Sequence, residues 1–335
     1  MNITILDQLS ALDLKNFHVE TLQIESSVLK NNSLKDSAIR RNPVLIPKIA
    51  TGPLPVVIIL AGLTGNGPDS FSPRFGELNT VQNIDEAVSA KKAPTALYVF
   101  VDAMTSWGGS QFINSVQGRY EDFVIQELVP ALHQCYDVSS QAKHWCVTGG
   151  SSGGYGALHL GSKFPETFGV VAALAPDCFF EASLLPEFYK TLHDWNESGG
   201  PKGLFKELKN GRLRRNKNFH SLVNAVGMSL CYADGELPID SYTGLRKPTV
   251  WKKYQAKDPL VFLPKRLKNL KKLHSLYIDV GNKDQFDLHL GCRQLHQWLK
   301  SKKVKHSYTE FNGTHFDLAP RRLDVWMWLN KLWSA

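Results

Sequence analysis

Short apolar or β-branched runs alternate with longer amphipathic segments along most of the chain. Several of the runs are almost continuously apolar, which is typical of central strands in a parallel sheet that is buried on both faces. The runs that predict strands are HVETLQI (18–24), VVIILA (56–61), ALYVFV (96–101), HWCVTG (144–149), VVAALA (170–175), HSLYIDV (274–280) and HSYTEF (306–311).

The intervening segments predict helices, because their apolar residues recur at helical spacing. The predicted helices span 120–136, 155–164, 287–301 and 323–333. Strands and helices that alternate in this way predict an α/β fold with right-handed crossovers.

The alternation stops between residues 178 and 256, a stretch rich in Gly, Pro, Lys and Asn. It contains helical patterns but no repeat of strand and helix. We expect a largely helical insertion that covers the carboxyl edge of the sheet. No linker marks a confident boundary, so residues 1–335 are expected to form a single domain.

Composition limits the class of protein and the cellular compartment that can be expected. The proportions of hydrophobic (43%) and charged (21%) residues are those of a globular protein able to bury a full core. The longest apolar run, LPVVIILAGL, is about half the length of a membrane span. The N-terminus lacks the pattern of a signal peptide. Five cysteines without a C-x-x-C pair favour reduced thiols in the cytoplasm over disulfides or a zinc site.

The formal net charge of +8 raises the question of an anionic partner. Much of the excess lies in RLRRNK (212–217) and KRLKNLKK (265–272), which we interpret as a solvated helix face and a loop. No recognisable nucleic-acid-binding motif accompanies the charge, so a nucleic-acid partner is not expected. Steering of acidic substrates is the remaining alternative, and charge alone does not establish it.

The candidate chemistry centres on TGGSSGGYGAL (148–158), which contains G-x-S-x-G twice, offset by one residue. A predicted strand precedes it and a predicted helix follows, as in the strained turn that presents a nucleophilic serine. A glycine-rich phosphate loop is the alternative, but the stretch lacks both the Gly-Lys-Ser/Thr ending and the G-x-G-x-x-G spacing.

Either Ser151 or Ser152 could be the nucleophile in this doubled pattern. Around Ser151, small residues follow at +2 and +3, where the helix must pack closely on the sheet. Around Ser152, Tyr155 would fall at +3, where a bulky side chain is harder to place. The local sterics favour Ser151, and the backbone amide of Ser152 then becomes a candidate oxyanion donor.

A nucleophilic serine needs a histidine base that is oriented by an acid, and in this kind of fold the acid precedes the histidine. Asp279 lies inside a predicted strand, and Asp287 is placed to cap the next helix. Asp284 lies on the loop directly after the strand and is therefore the best acid.

His315 follows the last predicted strand on a loop before the C-terminal helix, in the right order for the base. His289 and His296 fall within a predicted helix, where a structural or surface role is expected.

The oxyanion requires a second backbone donor, which an early loop usually supplies. The loop after VVIILA carries GLTG, and the Leu63 N–H is the candidate donor, with Thr64 as the alternative. A simple surface turn would have the same local sequence.

These motifs together resemble the putative esterase family of α/β-hydrolases, which includes esterase D (S-formylglutathione hydrolase), enterochelin esterases, feruloyl esterases and mycolyl transferases. The resemblance covers about residues 17–330. It is carried by LAGLTGN (60–66), SWGGSQFINS and GRYEDFVIQELVP (106–130), TGGSSGGYGALHL (148–160), IDVGNKDQF (278–286) and FNGTHF (311–316).

The family pattern implies an α/β-hydrolase fold, with a mostly parallel central sheet flanked by helices. It maps the nucleophile, the acid and the base onto Ser151, Asp284 and His315, in agreement with their order and loop positions. The likeness is greatest to an uncharacterised bacterial branch that shares PDCFFEASLLPEF (176–188) and TGLRKPTVWKKYQAKDPL (243–260).

The resemblance also implies a substrate pocket, formed by Trp107, Gly108, Gly109 and Asp177, with Glu181 as a further candidate. A packing role for Trp107 and a helix-capping role for Asp177 are the alternatives.

Two departures from the family pattern limit which properties of the family can be expected of this chain. Many relatives have His before the oxyanion glycine, where this chain has Ala61, but the donor is a main-chain amide. The insertion differs from that of esterase D, so specificity for a glutathione thioester does not carry over.

The sequence therefore predicts a serine carboxylic-ester hydrolase that forms an acyl-enzyme, acts on a small-molecule ester and requires no metal or organic cofactor. An acyltransferase, or an esterase for siderophores, carbohydrates or thioesters, would use the same chemistry. A non-catalytic binding protein on a hydrolase fold is the alternative of a different class. The natural substrate and the oligomeric state stay open.

Overall fold

A nine-stranded mixed sheet organises the molecule, whose computed structural model describes residues 1–7, 13–73 and 75–334. Two short hairpins, β6–β7 and β8–β9, lie outside this sheet. In chain order the strands are β1 (Asn2–Asp7), β2 (Phe17–Glu25), β3 (Ile39–Pro47), β4 (Val56–Leu60), β5 (Leu97–Phe100), β6 (Met104–Thr105), β7 (Gly108–Gly109), β8 (Asn114–Ser115), β9 (Gly118–Arg119), β10 (Trp145–Gly150), β11 (Val170–Leu174), β12 (Ser275–Gly281) and β13 (Ser307–Phe311).

The spatial order of the sheet is β1-β2-β3-β5-β4-β10-β11-β12-β13. Strands β1, β2 and β3 pair antiparallel, and so do β3 and β5. From β5 to β13 every pair is parallel. Because parallel strands end at the same edge, the loops after β4, β10, β11, β12 and β13 meet there.

Helices cover both faces of the sheet and most of the segment from 178 to 256. A π-helical stretch, Phe123–Leu128, joins α2 to α3. The helices are α1 (Thr80–Ser89), α2 (Tyr120–Asp122), α3 (Val129–Cys135), α4 (Ser152–Lys163), α5 (Phe180–Ser183), α6 (Leu185–Glu197), α7 (Pro201–Lys209), α8 (Phe219–Ala233), α9 (Pro248–Gln255), α10 (Pro259–Lys265), α11 (Leu267–Leu270), α12 (Leu288–Ser301) and α13 (Leu318–Ser334).

The predicted α/β architecture is confirmed. All seven predicted strands are present as β2, β4, β5 and β10–β13, with boundaries within one residue of those expected. The four predicted helices correspond to α2–α3, α4, α12 and α13. The sequence did not predict β1, β3 or α1. Pro43 lies inside β3, and a proline within an apolar run argues against a strand because it removes a backbone donor.

The hydrophobic core lies in two layers, one on each face of the sheet. Along β4 the side chains point alternately to the two layers: Val56, Ile58 and Leu60 belong to one layer and Val57 to the other. Strand β11 is buried along its whole length. This two-sided burial accounts for the continuous apolar runs in the sequence. Among the described helices, none combines the length and the apolarity needed to cross a membrane.

An ion pair fixes the C-terminal helix against the sheet. Asp279 is fully buried in β12, and its Oδ2 accepts hydrogen bonds from Arg321 Nε (3.0 Å), Arg321 Nη2 (2.7 Å) and the Tyr277 hydroxyl (2.9 Å). Arg321 lies early in α13, so this pair anchors the helix that follows the loop carrying His315.

Replacement of Arg321 by Met is expected to leave the Asp279 carboxylate buried without its cation. Loss of one partner of a buried pair is strongly destabilising, so the free energy of unfolding should fall by about 3 kcal/mol. Urea denaturation measures it. Arg293→Met, which removes the exposed pair with Glu310, is the matched control and should cost less than about 1 kcal/mol. Equal losses in the two variants would contradict the anchoring role.

Candidate active site

Ser151 occupies a strained turn between β10 and α4. Its backbone has φ +57° and ψ −124°, a conformation that residues other than glycine rarely adopt. The Ser151 N–H donates to Leu174 O at 2.9 Å, and its carbonyl accepts from Tyr155 N at 2.9 Å, which begins the helix. The turn is therefore held from β11 on one side and from α4 on the other.

Glycines on both sides of the turn allow the strand and the helix to approach. A Cβ at Gly149 would lie 2.5 Å from Leu60 O, and one at Gly153 would lie 2.2 Å from the same atom. A Cβ at Gly150 would meet nothing closer than 3.6 Å. A Cβ at Gly154 would also be close, 2.8 Å from Leu174 O, but only the first register has tight positions both two before and two after its serine, Ser151.

Asp284 and His315 form a hydrogen-bonded pair beside this turn. His315 Nδ1 lies 2.7 Å from Asp284 Oδ2, while Asp284 Oδ1 accepts from the Phe286 N–H at 2.9 Å. The His315 N–H donates to Gln285 Oε1 at 3.0 Å, and the Phe286 ring contacts the imidazole edge to face. Asp284 is buried, whereas His315 is partly open to the cavity.

The Ser151 hydroxyl takes a different partner from the expected base. It donates to Asp177 Oδ1 at 3.4 Å, and no hydrogen bond joins Ser151 to His315 within the described residues. Both residues line the same cavity. Catalytic hydrogen bonds are often long or misaligned before substrate binds, so this arrangement does not exclude His315 as the base.

Asp177 is the centre of a polar network below the cavity. Its Oδ2 accepts from the Ser152 hydroxyl at 3.1 Å and from Gln111 Nε2 at 3.4 Å. Gln111 Nε2 also donates to Ser152 Oγ at 2.7 Å. Desolvation raises the pKa of the Asp177 carboxyl to about 6, although the charge of His315 acts in the opposite direction.

The loop after β4 lies next to the serine turn. A Cβ at Gly62 would be 3.9 Å from Ser151 Cβ, which is ordinary van der Waals contact. Gly65 N donates to Gly62 O at 3.1 Å and closes the turn. In the described part of the chain the Leu63 N–H has no hydrogen-bond partner. Ser152 is the first residue of α4, so its N–H also lacks an intrahelical partner.

Trp107, Gly108 and Gly109 lie behind this loop and outside the cavity lining. The Gly109 N–H donates to Leu63 O at 2.6 Å, and a Cβ at Gly109 would lie 3.3 Å from Leu63 Cα. Trp107 is buried and packs against Phe205 with ring centroids 5.3 Å apart. Gly108 and Gly109 therefore support Leu63 from behind, because glycine leaves room for close approach of the two backbones.

A cavity of about 210 Å³ opens over the serine turn. Strand-edge loops form its floor, and the segment 178–256 supplies one wall from α5, α6 and α8. The lining residues from the loops are Gly62, Leu63, Thr64, Ser151, Ser152, Asp177, Phe286, Leu288, His315 and Phe316, and those from the segment are Phe180, Ser183, Leu184, Glu187, His220, Asn224, Met228 and Tyr232.

The other acidic candidates lie elsewhere. Asp279 pairs with Arg321 inside the fold. Asp287 precedes α12, but its side chain makes no capping hydrogen bond, and its φ of +57° shows that it completes a tight turn instead. Glu181 is exposed, outside the cavity lining, and lies 3.5 Å from Arg246. The histidines of α12, His289 and His296, lie outside the cavity lining.

Several site residues were not found from the sequence alone. Gln111 is fully buried, and Gln111 and the next residue, Phe112, both have φ of +55°. The residues of α6 and α8 that line the cavity were not predicted either. Gln285 and Phe286 could have been found from the sequence, because they directly follow Asp284 in the motif IDVGNKDQF.

Comparison with known proteins gives a consistent picture. A family model described as putative esterase matches residues 41–318. No curated protein matches the chain in sequence.

Among solved structures, a fluorophosphonate-binding serine hydrolase of Staphylococcus aureus is similar at 14% identity and a TM-score of 0.58, over 94% of this chain and 99% of that one. An S-formylglutathione hydrolase of Agrobacterium tumefaciens is similar at 15% identity and a TM-score of 0.54, over 99% of each chain. The enterochelin esterase of Shigella flexneri is similar at 17% identity and a TM-score of 0.52, over 98% of this chain and 60% of that one. These likenesses establish the α/β-hydrolase fold.

The packing of the turn predicts unequal effects of two neighbouring glycine substitutions. Gly149→Ala would place a methyl group 2.5 Å from Leu60 O, so it should cost about 1–3 kcal/mol of stability. Gly150→Ala meets only ordinary contacts and should change stability by less than about 1 kcal/mol. Thermal unfolding of both variants measures the difference. If Gly150→Ala were the more damaging, the close approach would be centred on the second register.

Proposed function

The chain belongs to the putative esterase family of α/β-hydrolases, and we propose that this enzyme acting on esters is a serine carboxylic-ester hydrolase with Ser151, His315 and Asp284 as its triad. The observation that carries the proposal is the 2.7 Å contact between His315 and Asp284 beside the strained Ser151 turn, in one cavity. A histidine held by a buried carboxylate is what a serine needs for activation.

In the proposed acylation step, the Ser151 hydroxyl turns about χ1 from Asp177 toward His315 Nε2. His315 takes the proton while Ser151 Oγ attacks the ester carbonyl carbon. Asp284 keeps Nδ1 protonated and stabilises the imidazolium. His315 then donates its proton to the leaving alcohol, and an acyl-enzyme remains. Water, activated by the same histidine, releases the acid.

The oxyanion is proposed to bind the free N–H groups of Leu63 and Ser152. Leu63 supports this role because Gly109 holds the residue from behind through its carbonyl, and within the described residues its N–H has no hydrogen-bond partner. Ser152 supports it because the first N–H groups of a helix are free and lie at the positive end of its dipole. Donors that are fixed before reaction cost no reorganisation when charge develops.

The segment 178–256 is proposed to act as an insertion within one domain that shapes the substrate pocket. An engineered apolar cavity of about 150 Å³ holds benzene. A cavity of about 210 Å³ with aromatic walls from Phe180, Tyr232 and Phe286 would therefore take a substrate group of about one ring or a short branched chain. This supports a small-molecule ester as the substrate.

The cysteines support a reducing compartment such as the cytoplasm. All five are free, and four of them are buried. Disulfides are typical of oxidising compartments, where thiols of this number would usually be paired.

Ser151→Ala is expected to lower kcat for a short p-nitrophenyl ester by about 10⁴-fold or more, because it removes the attacking atom. Ser152→Ala keeps the backbone amide and should lower kcat by about tenfold or less. A fluorophosphonate probe should label the unmodified protein and Ser152→Ala, but not Ser151→Ala. The reverse pattern would move the nucleophile to Ser152, and undiminished activity in both Ser151→Ala and His315→Ala would falsify the triad.

Gly109→Ala tests the oxyanion loop. The added methyl group would press on Leu63 Cα from 3.3 Å and displace its N–H, so kcat should fall about tenfold with little change in KM. Gly52→Ala is the matched control, since a Cβ there meets nothing within 4 Å. A Gly109→Ala enzyme with the kinetic constants of the control would contradict the role of Leu63.

A further inference from the structure

We propose that Asp177 makes this enzyme selective for esters that carry a hydrogen-bond donor, a hydroxyl or an ammonium group, on the α-carbon of the acyl group or on the β-carbon of the alcohol. The inference rests on the proposed function, because it assigns a substrate class to the same site. It goes beyond that function because the triad and the oxyanion hole would work on an ester of any kind.

Asp177 is placed where a bound ester must pass. Its Oδ1 is 3.4 Å from Ser151 Oγ, the atom to which the carbonyl carbon becomes bonded. Groups on the atoms next to that carbon therefore lie within hydrogen-bond reach of the same carboxylate. Asp177 also lines the cavity and is partly open to it.

The carboxylate has no cationic partner. Within the described residues no Lys or Arg forms an ion pair with Asp177, and its direct contacts come from the Ser151 and Ser152 hydroxyls and the Gln111 amide. A carboxylate can accept about four hydrogen bonds. A buried charge is normally paired. The Asp177 carboxylate therefore keeps lone pairs that can accept a hydrogen bond from a group in the cavity.

The groups around Asp177 do not supply the missing charge. His315 favours the carboxylate form, whereas Asp284 disfavours it. The Tyr232 hydroxyl and the Cys178 thiol are also nearby. Burial raises the pKa of the Tyr232 hydroxyl, and a hydrogen bond with Cys292 together with burial raises the pKa of the Cys178 thiol, in both cases well above the usual value, which keeps the two groups neutral. A substrate donor would be the first strong partner for the free lone pairs.

Strained backbone conformations and hydrogen bonds hold the Asp177 loop in place. Ala175 and Phe179, on either side, have φ of +38° and +57°. The Asp258 carboxylate accepts from the Phe179 N–H at 3.1 Å and from the Phe180 N–H at 2.7 Å. A strained backbone conformation persists only where the surrounding contacts hold it in place. The loop therefore presents the carboxylate in a fixed position.

A fixed anion here has opposite effects on two kinds of substrate. The reaction builds negative charge on the carbonyl oxygen close to Asp177, which disfavours turnover of a plain ester. A hydroxyl or ammonium group on the substrate would offset that charge by hydrogen bonding to the carboxylate. The position of Asp177 thus favours donor-bearing esters at the level of kcat/KM.

The experiment compares matched esters in which a donor replaces a methyl group. On the acyl side, ethyl lactate and ethyl alaninate are compared with ethyl isobutyrate. On the alcohol side, 2-hydroxyethyl butyrate is compared with propyl butyrate. A hydroxyl also activates the carbonyl chemically, so the informative quantity is the ratio of kcat/KM within a pair, divided by the same ratio for Asp177→Asn.

We expect the donor preference of the unmodified enzyme to exceed that of Asp177→Asn by at least about tenfold in one of the two arms, which also identifies the side of the ester that Asp177 contacts. Asp137→Asn is the matched control, because Asp137 is exposed and lies near Leu54, at the opposite edge of the sheet. This control should keep the preference of the unmodified enzyme.

The preference should also depend on pH in a defined direction. The carboxylate form accepts from the substrate, and the pKa of Asp177 is raised to about 6. For the hydroxyl-bearing esters, whose donor does not titrate in this range, the preference should therefore be full at about pH 8 and fall at about pH 5, where the carboxyl is protonated.

Two results would overturn the inference while the proposed function stands. One is a donor preference that is the same in the unmodified enzyme and in Asp177→Asn in both arms, with the activity of the variant retained. The other is a loss of activity in Asp177→Asn by the same factor for every ester, which would make Asp177 a support for the serine pair only. A protein that hydrolyses none of these esters and is not labelled at Ser151 by a fluorophosphonate would instead overturn the proposed function, and this inference with it.

Discussion

The close approach of α4 to the carboxyl ends of β4 and β10 is the constraint on which the rest of the site depends. Gly149 and Gly153 have no room for a Cβ against Leu60 O. Their packing forces the residue between them, Ser151, into a strained backbone conformation that points its side chain into the cavity. The same approach brings the first free N–H groups of α4 beside the serine, so one packing constraint positions both the candidate attacking atom and a candidate oxyanion donor.

Parallel pairing then brings the other groups to the same place. Gly150 pairs with Leu174, Leu174 with Asp279, and Gly281 with Phe311, so β10 and β11 end level and β12 and β13 end two residues further on at the same edge. The loops that follow these strands carry the serine, Asp177, Asp284 and His315 in turn. The antiparallel strands β1 to β3 extend the sheet but lie away from this edge. The site is thus a consequence of strand order, and the helices of 178–256 close it from above.

The cavity holds two carboxylates in contrasting environments. Asp284 is buried, and its oxygens are engaged by His315 and by a backbone N–H. Asp177 faces the cavity, accepts hydrogen bonds from neutral groups alone among the described residues and has a raised pKa. A carboxylate that is already paired can orient a base, whereas one with free lone pairs can receive a ligand. Residue type alone does not separate these two functions, since both residues are aspartates on loops after parallel strands.

The sequence by itself determined what depends on local pattern. Continuous apolar runs marked the central strands, and the order of serine, aspartate and histidine on loops after them indicated a candidate triad, because parallel strands bring such loops together whatever the side-chain details. The sequence did not determine which residues support Leu63, which wall the helices of 178–256 would form, or that Ser151 would bond to Asp177. Those facts depend on contacts between segments far apart in the chain, such as Gly109 with Leu63 and Gln111 with Ser152. No local pattern encodes such contacts, and only the packed tertiary structure decided them.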